Sequence, residues 1–281
     1  MPTSLVSPSE LAAHLADPDW CVLDCRFSLQ DPAAGAADYA QGHIPGAAYV
    51  SLDADLSGPR TASSGRHPLP DPALLAQRLG ALGIGEQTQV VAYDASAGLF
   101  AARAWWLLRA MGHTQVAVLD GGLQAWRAGG GALATESAPR PARLFRWHGQ
   151  PLGGLTAADV AGGLVGDRLR LIDVRAAERF EGRSEPLDPV AGHVPGAINL
   201  PHTLALDADG RFRSAQALRE LFAAQAAAAP GAIVCMCGSG VTACHTLLAL
   251  EVAGLPGARL YAGSWSEWCR DPTRPIATGP A

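Results

Sequence analysis

The chain has no apolar run approaching the roughly 18–20 residues of a membrane-spanning helix, so no membrane association is expected. Its opening, Met1-Pro2-Thr3-Ser4-Leu5-Val6-Ser7, lacks the basic head and apolar core of a secretory signal. It lacks a basic stripe too: 21 Lys and Arg against 26 Asp and Glu leave a net charge of −5, which argues against a nucleic-acid surface. Six cysteines in 281 residues are too few for a disulfide scaffold, and a reduced, cytoplasmic location is the expectation. What the chain does have is 48% hydrophobic and 17% charged residues, a composition that supports two ordinary globular cores.

The sequence repeats itself. Leu23-Asp24-Cys25-Arg26 returns as Ile172-Asp173-Val174-Arg175, and Gly42-His43-Ile44-Pro45-Gly46-Ala47 returns as Gly192-His193-Val194-Pro195-Gly196-Ala197. Val90 to Asp94 matches Ile233 to Cys237, which sets Asp94 against Cys237. Leu119-Asp120-Gly121-Gly122 with Trp126 matches Tyr261-Ala262-Gly263-Ser264 with Trp268. Four matches in one order indicate a duplicated domain. Gly192 follows Gly42 by 150 residues, but Cys237 follows Asp94 by only 143. The first half therefore holds about seven extra residues, which fall in the polar, Gly/Ser-rich stretch Ser57 to His67. A loop present in one half only is placed to serve the other half's site.

Each half alternates apolar runs with helical patterns. The runs at 21–23, 90–93, 116–119, 171–174 and 233–236 suit buried parallel strands, and helices are predicted over 99–111 and 241–253. Ser7-Pro8-Ser9-Glu10 and Thr156-Ala157-Ala158-Asp159 both read as helix-opening capping boxes. The fold expected is α/β: two domains, each an open parallel sheet flanked by helices, with the site at the C-terminal strand ends. The domains are expected at 1–130 and 155–281, joined by a Gly-, Pro- and Arg-rich linker at 131–154.

The chemistry points to Cys237-Gly238-Ser239-Gly240-Val241-Thr242, between the run Ala232 to Met236 and the helical stretch that follows. A cysteine here leaves a buried strand and a two-glycine loop turns at once into a helix. Loop N–H groups and the helix dipole can then converge on the sulfur and favour the nucleophilic thiolate. His43 and His193 occur in both halves although only one has the cysteine, so turn and strand-end hydrogen bonding is their expected role. The same symmetry makes Asp24, Arg26, Asp173 and Arg175 fold-supporting.

These residues, from the Asp-x-Arg strands through both Gly-His-x-Pro-Gly-Ala turns to Gly263-Ser264-Trp265-Ser266-Glu267-Trp268, resemble the tandem-domain rhodanese-like sulfurtransferases, which include thiosulfate and 3-mercaptopyruvate sulfurtransferases. Cys237 to Ala243 is similar to the mercaptopyruvate branch. The resemblance implies a catalytic second domain and a silent first domain, with Asp94 in the cysteine slot. It implies that Cys237 takes sulfur as a persulfide from a small-molecule donor and yields it to cyanide, thioredoxin or another thiol. Gly238, Gly240, Val241 and Thr242 would shape the cradle, and no metal or organic cofactor is required. It further implies proton-handling roles for Ser239, His67 and Asp55, with Asp53 a rival to Asp55, and a carboxylate-binding role for Arg179. Trp265 would line the pocket. The second carboxylate-binding arginine falls on Asp188, a reversal of charge. Arg183 in the same loop is the expected substitute, and thiosulfate or another sulfane donor stays open alongside 3-mercaptopyruvate.

Three other readings compete. Phosphatases and arsenate reductases of related topology need an arginine six residues after the cysteine, where this chain has Ala243, and no basic residue lies between Gly238 and Cys244. A zinc site from Cys235, Cys237, Cys244 and His245 would need ligands on a strand and on adjacent helical positions to converge. A persulfide carrier that does not turn over a small donor would use the same residues as the enzyme.

Overall fold

A computed structural model describes residues 1, 3–137, 139–165 and 168–280; Ala138 of the expected linker and Gly166, Asp167 and Ala281 of the expected second domain lie outside them. The chain divides into two compact units. The first comprises Met1–Gly58, Leu69–Leu152 and Asp209–Arg211, and the second Pro59–Pro68, Gly153–Ala208 and Phe212–Ala281.

In the first unit the strands are β1 (Leu5–Val6), β2 (Trp20–Asp24), β3 (Ala48–Tyr49), β4 (Gln89–Tyr93) and β5 (Val116–Leu119). They form one parallel sheet in the order β1-β5-β4-β2-β3. The second unit has β6 (Arg170–Asp173), β7 (Ile198–Asn199), β8 (Ile233–Met236) and β9 (Arg259–Leu260), parallel in the order β7-β6-β8-β9. An isolated parallel bridge from Leu155 to Tyr261 takes the place that β1 holds in the first unit. All five expected strands are present, buried on both faces as an open parallel sheet requires. The two-residue strands β1, β3, β7 and β9 are too short to leave a hydrophobic pattern in the sequence.

Each unit has its own core. Val22, Val91, Ala117 and Leu119 pack with Leu11, Ile44 and Trp126 in the first. Leu171, Val234 and Met236 pack with Val160, Phe180, Trp265 and Trp268 in the second. At 156–159 the full capping box forms, whereas at Ser7 the side chain accepts from the Glu10 amide and only that half of the box is made.

The repeated motifs turn out to be one mechanical device used twice. Arg26 forks onto Asp24 and donates to the carbonyl of Gly42 at 2.8 Å. Arg175 does the same with Asp173 and Gly192, at 2.7 Å to the carbonyl. Each strand end is thereby tied to its Gly-His turn. His43 and His193 complete those turns through Nδ1 contacts of 2.8 Å to the Tyr39 and Phe180 carbonyls, and each ring stacks on that same residue's ring.

Two features of the connections follow from packing and not from chain order. The segment read as a linker is strapped to the first unit as far as Leu152: His43 and Ala134 exchange backbone bonds, Arg143 N donates to Gly80 O, and Phe145 is buried. Residues 59–68, assigned by sequence order to the first domain, pack as part of the second unit.

Candidate active site

Strand β8 is wholly buried and delivers Cys237 at its C-terminal end. The helix Thr242–Val252 follows at once, buried from Ala243 to Leu250, as a helix apolar on nearly every side must be. Cys237 itself is only 2% exposed, so the sulfur is recessed.

The loop between them is clamped by the turn that follows β9. Ser264 Oγ accepts from the Cys237 amide at 3.1 Å, Trp265 N donates to Cys237 O at 3.0 Å, and Ser266 N donates to Gly238 O at 2.9 Å. Gly240 takes φ +75°, and a Cβ there would fall 2.2 Å from the Ala262 carbonyl oxygen, so only glycine fits. The Cys237 amide is consumed by Ser264 and is not part of an anion cradle. Among the described residues, the amides of Gly238, Ser239 and Val241 donate to no protein acceptor, although all three residues are buried. Buried N–H groups left over in this way suit an anion on the sulfur.

The equivalent loop of the first unit shows what such a backbone can bind. Asp94, in the slot of Cys237, accepts from four amides: Ser96 at 2.7 Å and Gly98 at 2.9 Å on Oδ1, and Phe100 at 2.8 Å and Ala101 at 2.9 Å on Oδ2. Burial pushes its pKa upward while these four amides pull it down.

Residues 59–68 complete the second unit's site. His67 is 1% exposed, and its Nδ1 lies 2.8 Å from Ser239 Oγ. Arg66 N donates to Ser266 Oγ at 3.0 Å, and its guanidinium pairs with Asp188. Arg179 binds Glu185 through Nη2 at 2.6 Å and reaches Asp188 at 3.3 Å. The hydrogen bonds to Arg179 and the amides of Leu187 and Asp188 hold the Glu185 carboxyl below its usual range, against the opposing effect of burial.

The remaining residues singled out in the sequence are engaged as follows. Arg183 pairs with Glu181 on the surface. Trp265 is fully buried in the core, donates from Nε1 to Val190 O at 2.9 Å, and carries the Arg175 guanidinium 4.8 Å above its ring. Its backbone serves the loop, and its ring does not line a pocket. Asp55 belongs to the first unit, where Oδ1 accepts from Arg78 Nε at 2.9 Å and Oδ2 from the Ser51 amide at 2.8 Å. Thr242 opens the helix. Cys244 donates its thiol to Gly240 O at 3.3 Å and His245 stacks on Phe212, while burial holds Cys235 well above the usual thiol range. Among the described residues no cluster is arranged to hold a metal ion.

Sequence reasoning reads Ser264, like Trp265, as a pocket-lining candidate after the last strand; it does not single out Arg66 or Glu185, nor the bond from the Cys237 amide to Ser264 Oγ. Arg66 adjoins His67 in the one-sided insertion, and it pairs with Asp188, the position at which the resemblance expects an arginine.

Residues 7–129 and 156–271 each match the rhodanese-like domain. The chain belongs to the rhodanese-like family. It is 52% identical to a Pseudomonas aeruginosa protein named "Probable 3-mercaptopyruvate sulfurtransferase", over 98% of each chain. It is 42% identical to a Mycobacterium tuberculosis protein provisionally named a thiosulfate sulfurtransferase, over 99% of this chain and 98% of the relative. Among solved structures, 3-mercaptopyruvate sulfurtransferase from Leishmania major superposes with a TM-score of 0.84 at 33% identity, covering 95% of this chain and 74% of that one. At these identities this rhodanese-like protein is a sulfurtransferase, built from two domains of that fold. No helix among the described residues is long and apolar enough to cross a membrane.

Proposed function

We propose that the chain takes sulfur from 3-mercaptopyruvate onto Cys237 as a persulfide and passes it to a thiol or cyanide in the cytoplasm. The Cys237 sulfur attacks the donor's sulfur. The donor's C–S bond breaks, and its electron pair stays on carbon as the enolate of pyruvate, which then takes a proton. A thiophilic acceptor next attacks the outer sulfur and restores Cys237. The amides of Gly238, Ser239 and Val241 stabilise the anionic persulfide.

The observation that carries the choice of donor is the 2.8 Å contact between His67 Nδ1 and Ser239 Oγ, two residues beyond the nucleophile. A mercaptan donor has a thiol proton to lose and a carbanion to protonate, so a histidine–hydroxyl pair in the loop has work to do. Thiosulfate has neither. The name of the 52% identical relative supports the same donor. No step falls to Asp55, which Arg78 and Ser51 engage.

Intact mass after exposure to 3-mercaptopyruvate or thiosulfate tests the reading, with Cys237→Ser as control. One added sulfur, loaded faster from 3-mercaptopyruvate, removed by cyanide and absent in the variant, is expected. Faster loading from thiosulfate would reassign the donor. Loading of the Ser variant would remove Cys237 from the mechanism, and loading without steady-state turnover would make the chain a carrier.

A further inference from the structure

His67 and Ser239 come from two stretches of chain far apart in the sequence, and one further residue binds both stretches. Ser266 lies in the turn after β9 and is 0% exposed. Its amide donates to Gly238 O at 2.9 Å, one residue before Ser239. Its hydroxyl accepts from the Arg66 amide at 3.0 Å, one residue before His67, and donates to Gly263 O at 3.3 Å. The 2.8 Å contact from His67 Nδ1 to Ser239 Oγ closes the ring. One arm of Ser266 thus fixes the loop that carries Ser239, and the other fixes the segment that carries His67.

That segment has little else to define its place. Residues 59–68 pack in the second unit but contain no helix or strand, so individual anchors position them. Two other contacts reach the same turn. A Cβ on Gly65 would fall 2.5 Å from Gly263 O and 3.0 Å from Ser266 Oγ, and Arg270 Nη1 donates to Ala62 O at 3.4 Å. The anchor that adjoins His67 is the Arg66 amide. Removing the Ser266 hydroxyl leaves that amide without its acceptor, and the segment must shift to satisfy it.

We propose that Ser266 is a positioning residue, whose hydroxyl sets His67 in register with Ser239 and so with Cys237. Its neighbours in the turn serve the nucleophile directly, Ser264 through Oγ to the Cys237 amide and Trp265 through its own amide to Cys237 O. Three consecutive residues therefore hold the sulfur and its proton-handling pair in one frame. The assignment rests on the reading of His67 and Ser239 as the pair that moves protons for a mercaptan donor.

The test measures the rate of sulfur loading on Cys237 in Ser266→Ala, from 3-mercaptopyruvate and from thiosulfate. Loading from 3-mercaptopyruvate should fall about tenfold to a hundredfold, part of what a positioned acid–base group contributes. Loading from thiosulfate, which has no thiol proton to lose, should fall by no more than about twofold. In a His67→Gln background the same substitution should add less than about twofold, because the residue it positions is gone. Equal losses with both donors, no loss with 3-mercaptopyruvate, or a full further loss in the His67→Gln background would overturn the assignment. A nitrogen-15 NMR spectrum of the histidine rings without donor, with the His67 signals identified by their loss in His67→Gln, reads the positioning apart from the chemistry. Those signals should move in Ser266→Ala, and unmoved signals refute the role. Should the unaltered chain load faster from thiosulfate, the reading of the donor fails, and the His67 signals alone then decide the role of Ser266.

Discussion

Ser264 Oγ accepts the amide proton of Cys237 at 3.1 Å from a backbone held at φ +53°, in the left-handed region that non-glycine residues avoid. The equivalent position in the first unit is Gly122, at φ +57°. The same turn is thus kept twice, without strain at Gly122 and with strain at Ser264, where a hydroxyl holds the Cys237 amide. Ser264 also donates to Tyr261 O at 2.9 Å, which fixes its rotamer.

This relationship makes two substitutions at one position diverge. Ser264→Ala keeps the strain and loses both hydrogen bonds, so it should cost about 1–3 kcal/mol in urea unfolding. Ser264→Gly loses the same bonds but relieves the strain, and should be the more stable of the two by about 1 kcal/mol. Both should slow sulfur loading on Cys237, because the freed amide no longer fixes the loop. If the alanine variant is as stable as the glycine variant, the strain is not real.

Asp94 gives a second prediction, on stability alone. Its two oxygens serve four buried amides. Asn can accept with one end only and presents donors to two of those amides at the other. Asp94→Asn should therefore destabilise the chain by about 2–4 kcal/mol, read from the urea midpoint. Sulfur loading on Cys237 should persist where the variant is folded. An unchanged midpoint would mean that water replaces the carboxylate at no cost.

Two histidines, buried His113 and half-buried His202, shape the acid side of the stability curve. Burial lowers the pKa of His113, whose Nε2 lies 2.9 Å from Thr88 O, and of His202, from the ordinary 6.5. The unfolded chain therefore takes up protons below about 6.5 while the folded chain refuses them until a lower pH. Their contribution is complete above 6.5 and is lost as pH falls through the folded values. The urea midpoint should drop between pH 7.5 and 5.5, and His113→Gln should flatten that drop by removing one titrating group. A midpoint that is constant over this range, or rises as pH falls, would contradict the sign.

The sequence alone determined the duplication, the five central strands and the strand–loop–helix setting of Cys237, because each depends on local pattern: apolar runs, capping residues, and glycines where a backbone must turn. It also determined that Asp94 replaces the cysteine in one half. Only the tertiary structure decided which polar residues meet. Ser239 and His67 are 172 positions apart, and Arg66 and Asp188 are 122 apart. Such contacts depend on where the 59–68 segment packs, which no local propensity records. The same holds for residues that changed role. Arg183 and Trp265 occupy plausible positions in the sequence, but one side chain found a surface acid and the other the core. Side-chain direction follows from burial and partner geometry, and these exist only once the sheet, the clamp after β9 and the inserted segment are assembled together.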